Sequence, residues 1–262
     1  METKDIFNFI IETAKKAAKN IHIEYNETLN YPNTSKLIIP NYRESDNKKP
    51  KKRISEQEFR FAFTAVLESK FNDLDIYYSV ETPTEFEYSF SGRGSRSAST
   101  DLTLYDSEKI EKLCNIEFKA HIPEQQAIDK DIEKLVTEDV LGCWCHIIEK
   151  SDSGTAKSLF GKFREAFKKY NTMNKELMVL IYIIDKNEIV RRIIEPNELQ
   201  NTERVFPGEI INCNLPNEWI KSSALARVGC ADNRKRTNMD SIFQRNDNWI
   251  PFYNGMTAWS SA

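Results

Sequence analysis

Ser99-Thr100-Asp101-Leu102-Thr103-Leu104-Tyr105, followed after a charged connection by Cys114-Asn115-Ile116-Glu117-Phe118-Lys119-Ala120, is the stretch on which the fold turns. Both segments predict short strands, around 101–105 and 114–120. Side chains alternate faces along a strand, so Glu117 and Lys119 project the same way, roughly 6.5 Å apart. Phe118 then points to the opposite, apolar side. Pairing the segments as a hairpin carries Asp101 beside Glu117.

The flanking sequence supplies the rest of an α/β pattern. Ile6, Phe9, Ile10, Ala14, Ala17 and Ala18 recur at helical spacing and predict an amphipathic first helix. The polar stretch from Tyr25 to Pro50 reads as a surface connection. A second helix starts near Ser55, with Phe59, Phe63, Val66, Leu67 and Phe71 on one side. Asp75–Val80 predicts a strand, and the Gly- and Ser-rich residues 89–100 read as a loop.

Beyond the hairpin, Pro123 marks a helix start ahead of Ile128, Ile132, Leu135 and Val136. Cys143–Ile148 is strand-like, and a helix near 155–170 buries Leu159, Phe163, Ala166 and Phe167. Leu177–Ile184 is apolar throughout, as suits a strand buried on both faces. Lys186-Asn187 turns it into a partner, Ile189–Ile194. The expected fold class is mixed α/β, a central mixed β-sheet flanked by helices. Residues 1–53 form an N-terminal helix and polar connection, 54–196 the core, and 197–262 a C-terminal segment of unassigned role, in which the pattern weakens beyond 210.

The chain of 262 residues is long enough to bury a substantial core. Its net charge of −3 gives no general attraction to nucleic acid, so any such binding needs locally concentrated positive charge. Met1–Asn20 lacks a signal pattern and the longest apolar run is far below a bilayer span; no membrane and a cytoplasmic location are expected. The cysteines form no CxxC pair. Cys143, Cys145 and His146 lack the spacing of a closed zinc site.

Two carboxylates grouped with an ammonium suit a hard divalent cation. Mg²⁺ prefers oxygen ligands, keeps several waters, and is commonly held by one or two carboxylates plus substrate phosphate. Lys119 is then placed to orient or deprotonate an attacking water, a role that a depressed pKa favours. The plain alternative is an ion pair on the solvated face of an edge strand.

Asp101 followed by Glu117-Phe118-Lys119 resembles the D…(D/E)xK signature of the PD-(D/E)XK nucleases, over roughly residues 54–185. The proline of that signature is absent, Thr100 standing there instead. The resemblance implies a restriction-endonuclease-like core of helix, antiparallel strands, helix and strand. It also implies a metal-dependent deoxyribonuclease, an endonuclease of restriction or phage-defence type. Asp101, Glu117 and the backbone carbonyl of Phe118 would hold Mg²⁺ (or Mn²⁺), and Lys119 would assist the water. The runner-up keeps the fold as a non-catalytic nucleic-acid-binding or assembly module.

Glu58 resembles by position a further catalytic acid, yet Ser55-Glu56-Gln57-Glu58 is equally a capping box. Glu68 is an alternative on the same helix. For DNA, the Arg93 and Arg96 loop runs directly into Asp101, and Lys130 lies beyond the hairpin with Gln125, Gln126 and His121. Other basic groups are Lys48–Arg53, the helix with Lys157, Lys162, Arg164, Lys168 and Lys169, and Arg234–Arg236. One active site per chain makes a homodimer the simple route to double-strand cleavage.

Overall fold

Seven consecutive strands make the central sheet, each hydrogen-bonded to the next in chain order. They are β3 (Tyr77–Tyr88), β4 (Arg96–Tyr105), β5 (Lys112–Ala120), β6 (Leu141–Ile148), β7 (Leu177–Ile183), β8 (Glu188–Ile194) and β9 (Ile220–Ser223). A separate ribbon pairs β1 (Asn41–Tyr42) with β2 (Lys51–Lys52). The helices are α1 (Thr3–Tyr25), α2 (Glu56–Ser69), α3 (Gln125–Thr137), α4 (Ser153–Phe167) and the short α5 (Thr202–Val205). This computed structural model describes residues 1–25, 37–42, 51–69, 75–89, 96–150, 152–170, 173, 175–206 and 219–224. All of them fall within one compact unit, Met1–Ala226.

The sheet is mixed. β3, β4 and β5 form an antiparallel meander. A crossover through α3 then brings β6 parallel to β5, and α4 brings β7 parallel to β6. β8 and β9 complete the sheet antiparallel. The predicted hairpin forms, with Leu102 opposite Ile116 and Leu104 opposite Cys114.

Alternation along the buried strands feeds two cores. Met178, Leu180 and Tyr182 of β7 join Cys114, Ile116 and Phe118 of β5 beneath α1 and α2. Leu177, Val179, Ile181 and Ile183 face the other way, against α3 and α4. Phe118 meets Phe59 and Phe63 of α2 edge-on, with ring centroids 5.6 and 5.5 Å away. Ile10, Ala14, Ala17 and Ile21 of α1 belong to the same core, while Trp219 and Phe206 stack into the one under α4. Gly142 lets β6 approach α3: a Cβ there would lie 3.0 Å from the Leu135 carbonyl oxygen.

The structure departs from the sequence reading at β3 and β4. Residues 96–100, read as loop, are strand, with Ser97, Ser99 and Thr100 registered opposite Glu87, Pro83 and Thr82. β3 likewise runs eight residues past Val80, through Pro83. Proline is tolerated because β3 is an edge strand among the described residues. In the segment of unassigned role α5 forms, and β9 forms beyond 210, where the sequence pattern weakens.

Candidate active site

Asp101, Glu117 and Lys119 come together at the meander, with α3 laid over them. The Asp101 carboxylate accepts the backbone N–H of Phe118 at 2.8 Å, which ties β4 to β5 beyond their last registered pair. Arg60 of α2 stands 3.7 Å from the other oxygen of Asp101. Glu117 is 1% exposed. Its Oε1 accepts from Lys134 of α3 at 2.5 Å. Lys119 donates to Asp131 of α3 at 2.8 Å and to the Phe118 carbonyl at 3.2 Å, with Glu56 at 3.6 Å.

Asp131 is the pivot of this network, because its second oxygen takes Lys134 at 3.0 Å. Lys134 completes its set of donors on the Ser99 carbonyl at 2.8 Å. Glu81 of β3 joins from the edge, receiving Arg60 at 2.5 Å and the Ser99 hydroxyl at 3.0 Å. Its φ of 51° is the left-handed region, uncommon for a non-glycine residue inside a strand. The strained residue therefore sits on β3 between Val80 and Thr82, partners of Leu102 and Thr100 on either side of Asp101.

These contacts set the ionisation. Burial pushes the Glu117 carboxyl well above its ordinary value, and Asp131 and Asp101 add to that while Lys134 opposes it. Burial pulls the Lys119 ammonium down, but Asp131, Asp101 and Glu117 outweigh it and the net shift is upward. The same balance raises Lys134, chiefly through Glu117. Hydrogen bonds from Arg60 hold Glu81 below the usual carboxylate range.

The other sequence candidates make contacts of their own. Glu58 is the capping residue: its Oε2 accepts the Ser55 backbone N–H at 2.7 Å and the Ser55 hydroxyl as well. Glu68 receives the Tyr78 hydroxyl at 2.5 Å at the far end of α2. His121 has a φ of 59° and places Nε2 2.6 Å from the Ile54 carbonyl oxygen. Gln125 donates to the Lys162 carbonyl and to Asp129, and Lys130 is exposed on α3. Arg96 begins β4 opposite Tyr88. Arg93, residues 48–50 and residues 234–236 lie outside the described residues.

The basic helix is largely committed to internal contacts. Lys162 donates to the Pro123 carbonyl, Arg164 to the Phe206 carbonyl, Lys168 to Glu165 and Lys169 to Asp129. Lys51 pairs with Glu149 at 3.0 Å, and Lys52 donates to the Glu24 carbonyl at 2.8 Å. Cys143 and Cys145 point into the core beneath α2, whereas Trp144 between them joins the core under α3 and α4. His146 bonds to Trp144 and so lies on that second side, which separates it from both thiols.

Sequence reasoning missed Asp131 and Lys134, and also Glu56, Arg60 and Glu81. The signal for Asp131 was present: it falls on the Ile128, Ile132, Leu135 stripe of α3, where a charged residue must be buried with a partner.

The donor chemistry suits a hard cation, since two carboxylates and a backbone carbonyl are all oxygen ligands. Among the described residues, no group of three or more His, Cys, Asp and Glu side chains is arranged to hold a metal. No helix of the described residues is long and apolar enough to cross a membrane. Comparison of the chain with protein-family models, with curated proteins and with solved structures returns no match.

Proposed function

We propose that this chain is a cytoplasmic, Mg²⁺-dependent deoxyribonuclease, an endonuclease of restriction or phage-defence type with a restriction-endonuclease-like core. The observation that carries the reading is the joining of Asp101, Glu117 and Lys119 on adjacent strands of one meander. The order α2, β3, β4, β5, α3, β6, with β6 parallel to β5, supports it as the arrangement the resemblance implies.

In this reading Asp101, Glu117 and the Phe118 carbonyl hold the metal, and Mn²⁺ substitutes for it. A bound divalent cation supplies a water of lowered pKa and neutralises charge developing on phosphate. Lys119, kept cationic by Asp131, donates to the water or to a phosphate oxygen and fixes its approach. Arg60 pairs with Asp101 at 3.7 Å and adds positive charge beside its carboxylate. Arg93, Arg96 and Lys130 contact the DNA backbone. Two copies of the chain would cut both strands of a duplex.

One observation favours a second reading, a non-catalytic nucleic-acid-binding or assembly module. Each motif side chain already has a protein partner, and Lys134 takes Glu117. Incubating the protein with plasmid and linear DNA in Mg²⁺ or Mn²⁺, with an EDTA control, separates the two. The nuclease reading expects cutting that EDTA abolishes. DNA retention without cutting in either metal would leave the module.

A further inference from the structure

We propose that Lys134 is a built-in counter-ion for Glu117 and that a divalent cation must compete with it for that carboxylate. The inference rests on the metal-binding reading above and deepens it. Its foundation is the placement of one ammonium. Lys134 is 3% exposed, and its three N–H bonds are matched by Glu117 at 2.5 Å, Ser99 carbonyl at 2.8 Å and Asp131 at 3.0 Å.

Glu117 cannot stay buried and ionised without compensation, since an unpaired buried charge is strongly unfavourable. Lys134 supplies that compensation from within the fold. A metal on the same carboxylate would bring a second cation to within a few ångströms of the first, and the two repel. Metal binding and the Lys134 contact are therefore linked with opposite sign.

The surroundings make the exchange feasible. Lys134 keeps two of its three acceptors, Asp131 and the Ser99 carbonyl, when Glu117 is taken from it. The directly connected groups also carry excess negative charge. Glu56, Glu81, Asp101, Glu117 and Asp131 are five carboxylates against the three cations Arg60, Lys119 and Lys134 when all are ionised. A divalent cation balances that excess of two, and Lys134 sets how much of its binding energy is spent on displacement.

The sign of the effect separates this role from a merely structural one. A structural lysine, once removed, loosens the site and weakens metal binding. A competing counter-ion, once removed, strengthens it. Mn²⁺ is titrated by calorimetry and by thermal shift into the full-length wild type, Lys134→Met, Lys134→Gln and Lys134→Arg. We expect Lys134→Met and Lys134→Gln to bind Mn²⁺ more tightly than wild type by roughly 5- to 150-fold, the usual span of such coupling. Lys134→Arg, which keeps the charge, should bind no more tightly than wild type.

Should either neutral variant be poorly folded without metal, Mn²⁺ should raise its melting temperature by more than it raises that of wild type; no larger rise overturns the proposal. Wild type that binds Mn²⁺ while both neutral variants bind equally or less tightly leaves the metal reading intact and overturns the counter-ion. Failure of wild type and both neutral variants to bind overturns the two together.

Discussion

Two buried polar clusters lie side by side on neighbouring strands, Lys119 of β5 being registered opposite His146 of β6. Around His146, which is fully buried, each ring nitrogen has one partner. Nδ1 accepts the Trp144 indole N–H at 3.1 Å and Nε2 donates to the His121 carbonyl at 2.6 Å. Burial pushes the His146 pKa down to about 4, so the ring is neutral and the cluster closed. The Glu117 cluster is built instead from ion pairs, Lys119 and Lys134 meeting Asp131 and Glu117. A neutral, satisfied cluster stitches the exit of β5 to β6; the ion-paired one is where the proposed chemistry is placed. Fold maintenance and chemistry are thus expected to separate by mutation, and the following tests press on that separation.

The largest effect is expected at Lys119. Lys119→Ala should lower DNA cleavage by about 10²–10³-fold, the range for removing one positioned hydrogen-bond donor. Stability should change little, because Asp131 retains Lys134 at 3.0 Å. Rate and melting temperature measured on one preparation check this; collapse of both would make Lys119 part of the scaffold.

On the apolar side of the same strand, the expectation reverses. Phe118→Ala removes a ring that is 1% exposed and packed on Phe59 and Phe63. It should cost roughly 3–5 kcal/mol by denaturant titration, the usual range for a buried Phe→Ala change. A loss under about 1 kcal/mol would show that α2 closes over the gap.

His146 gives the pH test. Its folded-state pKa is depressed, so the unfolded chain takes up this proton near pH 6.5 and the folded chain only near 4. The contribution of His146 should therefore be level above pH 6.5 and fall as pH drops from 6.5 to 4, by about 3 kcal/mol. Urea midpoints across that window measure it. His146→Gln should flatten the slope, and an unchanged slope would assign acid lability to other groups.

The smallest effect belongs to Glu58. As a capping residue, Glu58→Gln should change stability by under about 0.5 kcal/mol and leave cleavage unchanged, because Gln also serves at that position. A sharp loss of turnover would return Glu58 to the site.

The hairpin was legible because strand periodicity is two: Glu117 and Lys119 on one face and Phe118 on the other follow from alternation alone. α3 was legible as an amphipathic helix from Ile128, Ile132 and Leu135, and Ser55 with Glu58 could be seen as a capping box. What stayed hidden depends on distant partners. Ser97, Ser99 and Thr100 are small and polar, and become strand because Glu87, Pro83 and Thr82 lie alongside. Lys134 looked like any lysine beside an apolar stripe until Glu117, distant in sequence, supplied its partner. Glu81 gave no sign of its φ of 51°, a property of the folded backbone between Arg60 and Ser99.

The most direct test of the central claim is single-turnover DNA cleavage in Mg²⁺ by wild type and Glu117→Ala, each with an EDTA control. The account expects wild type to cut, EDTA to stop it, and Glu117→Ala to leave the DNA whole while remaining able to bind it. Cleavage that survives EDTA or the Glu117→Ala change, or a wild type that cuts no DNA in Mg²⁺ or Mn²⁺, would contradict it.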